Sequence, residues 1–157
     1  MPASRSATTT LGITIVVVAA LGAVGGVLIA RRAGAKINGG VTAEGASVGT
    51  FKFNASSCAS GHAFVPGFFG VELRGSGGQA LRVVDSGPRA RLWLYGQFPT
   101  QPALGIGQPS CSEWDVRVDW AGVVVNRVKA VNGHVNVTCA VGGGTVTAHV
   151  TFERCAL

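Results

Sequence analysis

The sequence predicts an all-β protein, an antiparallel β-sandwich of about eight or nine strands behind one N-terminal transmembrane helix. Three observations predict it. Residues 11–30 carry no charge and no proline. After them, apolar and polar residues alternate in short runs that glycine-rich turns separate, and no amphipathic helical pattern follows. Glycine is abundant, at 24 residues, whereas only 13% of residues are charged. A small β-barrel is the second choice of fold.

The first element is a short polar tail over residues 1–10, and residues 11–30 are the predicted transmembrane helix. At 1.5 Å per residue, twenty residues span about 30 Å, the thickness of the hydrocarbon core of a bilayer. An Ala-x-Ala cleavage site ends at Ala35, so the chain is secreted if a peptidase cuts there. The apolar stretch is longer than a signal peptide usually has, which favours an uncleaved anchor.

Residues 31–47 are rich in glycine and alanine and are predicted to be a linker, followed by one domain over residues 48–157. All four cysteines, Cys58, Cys111, Cys139 and Cys155, lie in that domain. An even number of cysteines beyond a membrane segment predicts two disulfides and a domain outside the cytoplasm. The basic residues that flank the helix favour the opposite topology by a small margin, and we give the cysteines more weight.

Much of the positive charge of the chain lies beside the apolar stretch, so the charge of the remaining residues is modest. The formal net charge is +6, but three of the arginines flank the apolar stretch, and residues 33–157 have ten basic residues against seven acidic ones. A nucleic-acid site would need a clustered basic patch, so no nucleic-acid partner is predicted. No metal or cofactor is predicted either, because the cysteines form no CxxC pair and the histidines are far apart.

The strands after the linker are placed by alternation. Val48–Phe53 is the first candidate strand, and Phe69–Arg74 is the next. A hairpin follows in which Leu81 opposes Leu94 and Val83 opposes Leu92, which buries one face consistently. The outer face then pairs Arg82 with Trp93, Val84 with Arg91, and Ala80 with Tyr95. Residues 96–110 contain three prolines and are predicted to be a long connection.

The last third of the chain is predicted to be a meander. Ala121-Gly122 and Asn132-Gly133 are its predicted turns, the second as a type I′ hairpin. Gly142-Gly143 closes the last hairpin as a two-residue loop. The buried face of the last strand is Val146, Ala148, Val150 and Phe152. With this register, Cys139 and Cys155 are too far apart to be joined, and the favoured pairs are Cys58–Cys139 and Cys111–Cys155.

The candidate binding surface combines the outer face of the central hairpin with the long connection. It comprises aromatic and arginine side chains together with apolar residues of the connection: Arg82, Arg91, Trp93, Tyr95, Phe98, Leu104 and Ile106. An arginine opposite a tryptophan favours a cation–π contact, and exposed aromatic and arginine side chains are typical of binding hot spots. The alternative is that Phe98, Leu104 and Ile106 cover this face and make it part of the core.

The sequence therefore predicts a membrane-anchored envelope protein, single-pass, whose exported domain is a non-enzymatic adhesion or interaction module for a protein or a glycan. A structural domain, or one that carries a small ligand between its sheets, is the alternative. An enzyme that uses Cys58 and His62 as a nucleophile–base pair is the third hypothesis.

Overall fold

Ten strands in two antiparallel sheets make up the described part of the chain, which a computed structural model gives as residues 34–97 and 102–156. The strands of the long sheet are β1 (Lys36–Ala46), β2 (Gly49–Asn54), β8 (Cys111–Val125), β9 (Val128–Val141) and β10 (Gly144–Cys155). Those of the short sheet are β3 (Ser57–Ser60), β4 (Gly70–Arg74), β5 (Ala80–Val84), β6 (Arg91–Tyr95) and β7 (Leu104–Gly107). The described residues also form three single-turn 3-10 helices, Gly61–Ala63, Gly87–Arg89 and Gln108–Ser110.

The two sheets pack face to face, as the predicted β-sandwich requires. The order of strands is β2-β1-β10-β9-β8 in the long sheet and β3-β4-β5-β6-β7 in the short sheet. Alternate residues of both sheets point into the core. On β10, the predicted buried face is confirmed, and its members are at most 2% exposed: Val146, Ala148, Val150 and Phe152.

Two hairpins have the register that the alternation predicts. On β5 and β6, Leu81 pairs with Leu94 and Val83 with Leu92, and all four side chains are buried. The last hairpin turns through Gly142 and Gly143, both with positive φ, as a two-residue type I′ loop requires.

Two segments predicted to lack regular structure contain strands. Residues 36–46, predicted to be part of a linker, form β1, which pairs with both β2 and β10. Its glycine and alanine content suggested a linker, but Val41 and Ala43 are buried in the core. The predicted long connection 96–110 contains the edge strand β7. Both segments gain their structure from neighbouring strands, which composition does not reveal.

The predicted turns at Ala121-Gly122 and Asn132-Gly133 are wrong. The chain turns at Asn126-Arg127, where both residues have positive φ, and Gly122 lies at an irregularity within β8. Gly133 lies inside β9, paired with Val118 on one side and near Phe152 on the other. A Cβ atom at position 133 would overlap the carbonyl oxygen of Arg117. Glycine is therefore required there by close packing, and the dipeptide resembles a hairpin turn only in sequence.

The disulfide pairing also differs from the predicted one. Cys58 is bonded to Cys155, and Cys111 to Cys139. Because the hairpin turns at Asn126-Arg127, Cys111 at the start of β8 comes directly opposite Cys139 on β9. Cys58 on β3 then joins the short sheet to the end of β10 in the long sheet. Cys139 and Cys155, whose bond the predicted register disfavours, are each bonded to another cysteine.

Within residues 34–97 and 102–156, no helix combines the length and the apolar character that a membrane crossing requires. The predicted polar tail 1–10 and the predicted transmembrane helix 11–30 lie outside the described residues.

Candidate binding surface

The outer face of the short sheet carries the predicted aromatic and arginine side chains. β5 and β6 pair Arg82 with Trp93, Val84 with Arg91, and Ala80 with Tyr95, as the alternation predicts. These pairs face away from the core because Leu81, Val83, Leu92 and Leu94 face into it. We call Arg82, Arg91, Trp93 and Tyr95 the arginine–aromatic surface.

A buried carboxylate underlies this surface. Glu72 on β4 has no exposed surface, although it points to the outer face between Arg74 and Arg82. The Nε and Nη2 atoms of Arg82 donate to Glu72 Oε2 at 2.9 and 2.6 Å. Arg74 Nε donates to Oε1 at 2.7 Å. Both oxygens of the carboxylate therefore have charged donors, which is the condition for burying an acid without leaving it unpaired.

The loop between β3 and β4 covers this ion pair. The guanidinium carbon of Arg82 lies 5.2 Å from the ring centroid of Phe64 and 5.3 Å from that of Phe68. It also lies 6.0 Å from the ring of Tyr95 on the same sheet. The two phenylalanine rings contact each other, with centroids 5.5 Å apart. Arg82 thus makes cation–π contacts with Phe64, Phe68 and Tyr95, whereas the sequence-based expectation named Trp93 as its partner.

Sequence reasoning missed the contribution of this loop. Three phenylalanines lie between His62 and Gly70, a density of aromatic residues that an ordinary solvent-exposed loop would not need. The prediction instead assigned the covering role to the connection after β6. The loop could have been found by asking what covers the outward-facing Glu72.

Trp93 remains open to solvent. Its side chain is 41% exposed, and its ring lies over Gly105 on the edge strand β7. A Cβ atom at Gly105 would be 3.1 Å from Trp93 Cζ3, so the absence of a side chain there lets the ring lie close to the backbone. The guanidinium of the exposed Arg91 lies beside Gly107 in a similar way, because a Cβ at Gly107 would be 3.5 Å from Arg91 Nη1. Because Gly105 and Gly107 have no side chains, the side chains of Trp93 and Arg91 can lie against the backbone of β7.

The remaining predicted site residues do not join this surface. Ile106 pairs with Leu92 and is 1% exposed, so it belongs to the core between the sheets. Leu104 pairs with Leu94 and packs against the same core. Both face inward because their register on β7 matches the buried face of β6. Phe98 lies outside the described residues.

The histidines offer a different chemistry from the one considered for Cys58 and His62. Cys58 is bonded to Cys155, so this sulfur carries no thiolate. On the outer face of the long sheet, His134 Nε2 lies 2.9 Å from Asp115 Oδ2. The hydrogen bond with His134 lowers the pKa of Asp115, and the charges of His134 and Arg117 act in the same direction. No group of three or more potential metal ligands occurs among the described residues.

The geometry of the arginine–aromatic surface suits recognition by contact. The ring of Trp93 contacts the backbone at Gly105 and is partly exposed, so a partner can contact the exposed part of the ring, and Arg91 beside it can pair with an anionic group. Comparison with models of protein families, with curated protein sequences and with solved structures gives no match to this chain.

Proposed function

We propose that this chain is a membrane-anchored, non-enzymatic interaction module, with its β-sandwich outside the cytoplasm and a protein or glycan partner bound at the arginine–aromatic surface. The observation that carries the proposal is Trp93, 41% exposed and resting on Gly105. Tryptophan and arginine dominate binding hot spots because they bury a large contact area and make directional polar contacts.

The fixed position of Arg82, next to Trp93 on the sheet, supports this role. Arg82, the cross-strand partner of Trp93, is fixed by two hydrogen bonds to Glu72 and by the rings of Phe64 and Phe68. A surface that is already ordered loses less conformational entropy when a partner binds. Arg82 therefore acts as a support for Trp93, and Arg91 is the arginine better placed to contact a partner.

Two features support export and anchoring. All four cysteines are in disulfides, as is usual for proteins outside reducing compartments. The uncharged residues 11–30 have the length of a membrane-spanning helix, and Arg31-Arg32 follow them.

The alternatives have less support. A domain that carries a small ligand needs space between its sheets, whereas Leu73, Leu81 and Val135 fill the centre of the core without exposure. An enzyme with Cys58 as its nucleophile needs a thiolate, and a disulfide does not supply one.

Site-specific photocrosslinking in cells that produce the full chain tests the binding role. Benzoylphenylalanine is introduced at Trp93 and, as a control, at Thr151, which is exposed on the outer face of the long sheet. We expect a light-dependent adduct from position 93 and none from position 151. Treatment with a protease or a glycosidase then shows whether the partner is a protein or a glycan. Absence of an adduct at position 93, or equal adducts at both positions, would overturn the proposal.

Thiol labelling tests the location separately. Intact cells are treated with a membrane-impermeant maleimide before and after reduction, and the full chain is blotted from the membrane fraction. We expect labelling only after reduction. Thiols that become reactive only after lysis, without a reductant, would place the domain in the cytoplasm and remove the support for export.

A further inference from the structure

The hairpin formed by β8 and β9 extends beyond the rest of the sandwich. Among the residues of β9 that pair with β10, Val131 lies nearest to the turn between β8 and β9, and it lies opposite Cys155. Between Val131 and the turn, residues 128–130 of β9 pair only with the end of β8, which reaches Val125. The ends of these two strands thus form a two-stranded ribbon, which we call the hairpin tip (residues 120–131).

The hairpin tip exposes large apolar side chains. Trp120 is 60% exposed, Val124 is 57% exposed and Val123 is 39% exposed. Trp120 pairs with Val131, whose side chain is 1% exposed. Trp120 therefore lies on the core-facing side of β8, at the point where this side extends beyond the core. Three of the six large apolar side chains that are exposed in residues 34–97 and 102–156 lie in this one ribbon, and such a concentration indicates a contact surface.

The charges at the hairpin tip all have one sign. The charged residues between Trp120 and Val131 are Arg127 at the turn and Lys129 on β9, both exposed, and this stretch contains no acidic residue. A tryptophan with aliphatic neighbours and adjacent basic residues is the composition that favours the head-group region of a bilayer. The basic side chains would pair with anionic lipid head groups.

The hairpin tip lies at the end of the sandwich where β1 begins. Lys36, the first residue of β1, pairs with Glu153 near the end of β10, two residues from the Cys155–Val131 pair. The sequence predicts that the membrane segment ends at Ala30. A chain of six residues reaches at most about 20 Å, so the predicted anchor keeps this end of the domain near a bilayer.

We propose that the hairpin tip contacts an anionic bilayer, with Trp120, Val123 and Val124 in the head-group region and Arg127 and Lys129 against anionic lipids. This inference rests on the membrane anchor of the proposed function. The contact would fix which end of the sandwich faces the lipid and would leave the arginine–aromatic surface on the side of the domain for its partner.

The charges favour lipid over a second copy of the chain. Two hairpin tips that packed against each other through Trp120 would bring Arg127 and Lys129 of both copies together, with no acidic residue in either tip to compensate. Like charges at an interface oppose association, whereas an anionic membrane attracts both residues.

Quenching of tryptophan fluorescence by lipid tests this contact in the full chain. The protein is reconstituted into vesicles of phosphatidylcholine and phosphatidylglycerol that contain a phospholipid with a spin label near the head group. The chain has three tryptophans, Trp93, Trp114 and Trp120. We expect Trp120→Phe to reduce the quenched fraction at least about twofold, because an interfacial tryptophan is the one within reach of the label. Trp93→Phe is the matched control and should leave the quenching in place.

A second variant tests the charges. Arg127→Gln with Lys129→Gln should reduce quenching of Trp120 in the anionic vesicles and bring it to the level seen in vesicles of phosphatidylcholine alone. Equal quenching in the wild-type chain and in Trp120→Phe would overturn the proposal, and so would shielding of Trp120 by a second copy, which blocks access of the lipid label.

An alkaline wash of the same vesicles separates this proposal from the anchor. A chain that stays in the vesicles without quenching of Trp120 contradicts the hairpin-tip contact and leaves the anchor intact. A chain that the wash removes, but whose Trp120 is quenched before the wash, contradicts the anchor and supports the contact. A chain that neither stays nor is quenched contradicts both.

Discussion

Glu72 and Arg82 lie opposite each other on β4 and β5, and Arg82 Nη2 is 2.6 Å from the Oε2 atom of a carboxylate that has no exposed surface. The pair joins two strands of the short sheet on the face that points away from the core. It also places a guanidinium under the rings of Phe64 and Phe68, which fixes the loop between β3 and β4. One ion pair thus organises both the outer face of the sheet and the loop that covers it.

Glu72→Gln should lower the free energy of unfolding by about 2 kcal/mol, because the carboxamide loses the charge-assisted hydrogen bonds of both arginines and turns an NH2 donor toward them. Urea denaturation of the full chain in detergent measures the change. Glu153→Gln is the matched control: it makes the same change in an ion pair with Lys36 whose side chains are 59% and 75% exposed, so its cost should stay below about 1 kcal/mol. Equal effects of the two substitutions would contradict a special role for the Glu72–Arg82 pair.

Gly133→Ala should destabilise the domain by more than about 2 kcal/mol, because the added methyl group overlaps the carbonyl oxygen of Arg117 and lies against the ring of Phe152. Gly67→Ala adds the same group where the nearest atom is 3.4 Å away, so it should change the stability little. Thermal unfolding of the two variants measures both. If Asn132-Gly133 were instead a solvent-exposed turn, Gly133→Ala would not produce a steric cost of this size.

Peptide mapping of a nonreduced digest should find Cys58 joined to Cys155 and Cys111 joined to Cys139. The two bonds span 97 and 28 residues, so loop-closure entropy gives them about 4.7 and 3.6 kcal/mol of stabilisation. Replacing the first pair with serine should therefore cost about 1 kcal/mol more than replacing the second. Detection of Cys58–Cys139 or Cys111–Cys155 peptides would contradict the register of β8 and β9.

Local alternation predicted the parts of the fold in which it has one interpretation. On β5 and β6, only one register buries Leu81, Val83, Leu92 and Leu94 together, and the structure has that register. The Gly142-Gly143 turn follows in the same way, since another loop length would expose the apolar face of β10.

The wrong turn and the wrong disulfide pairing share a physical cause. Whether a glycine forms a turn or allows close packing within a sheet depends on tertiary contacts. Gly133 resembles a turn residue but is needed where two strands and the Phe152 ring approach closely. Asn126-Arg127 turns the chain although neither residue is glycine. Once the turn was misplaced, Cys111 could not be set opposite Cys139, and the predicted disulfide pairing failed with it.

The strand register of the candidate site could be predicted from the sequence, but the residues that cover its side chains could not. The cross-strand pair of Arg82 and Trp93 follows from alternation alone. Whether each side chain is open depends on a loop from elsewhere in the chain. Phe64 and Phe68 cover Arg82, whereas Trp93 next to it stays exposed over Gly105.

Asp115 on the outer face of the long sheet should titrate below its ordinary pKa of 3.8, chiefly because of its hydrogen bond with His134. His134→Gln should raise the pKa of Asp115, and carbon-detected NMR of the carboxyl group measures it. A pKa that is lower in the folded state stabilises the fold above the unfolded value, and this contribution is lost as the pH falls through the folded value. The wild-type domain should therefore lose more stability on acidification than His134→Gln does. His149→Gln changes an exposed histidine on the adjacent strand β10, and an equal rise of the Asp115 pKa in that variant would contradict the assignment to His134.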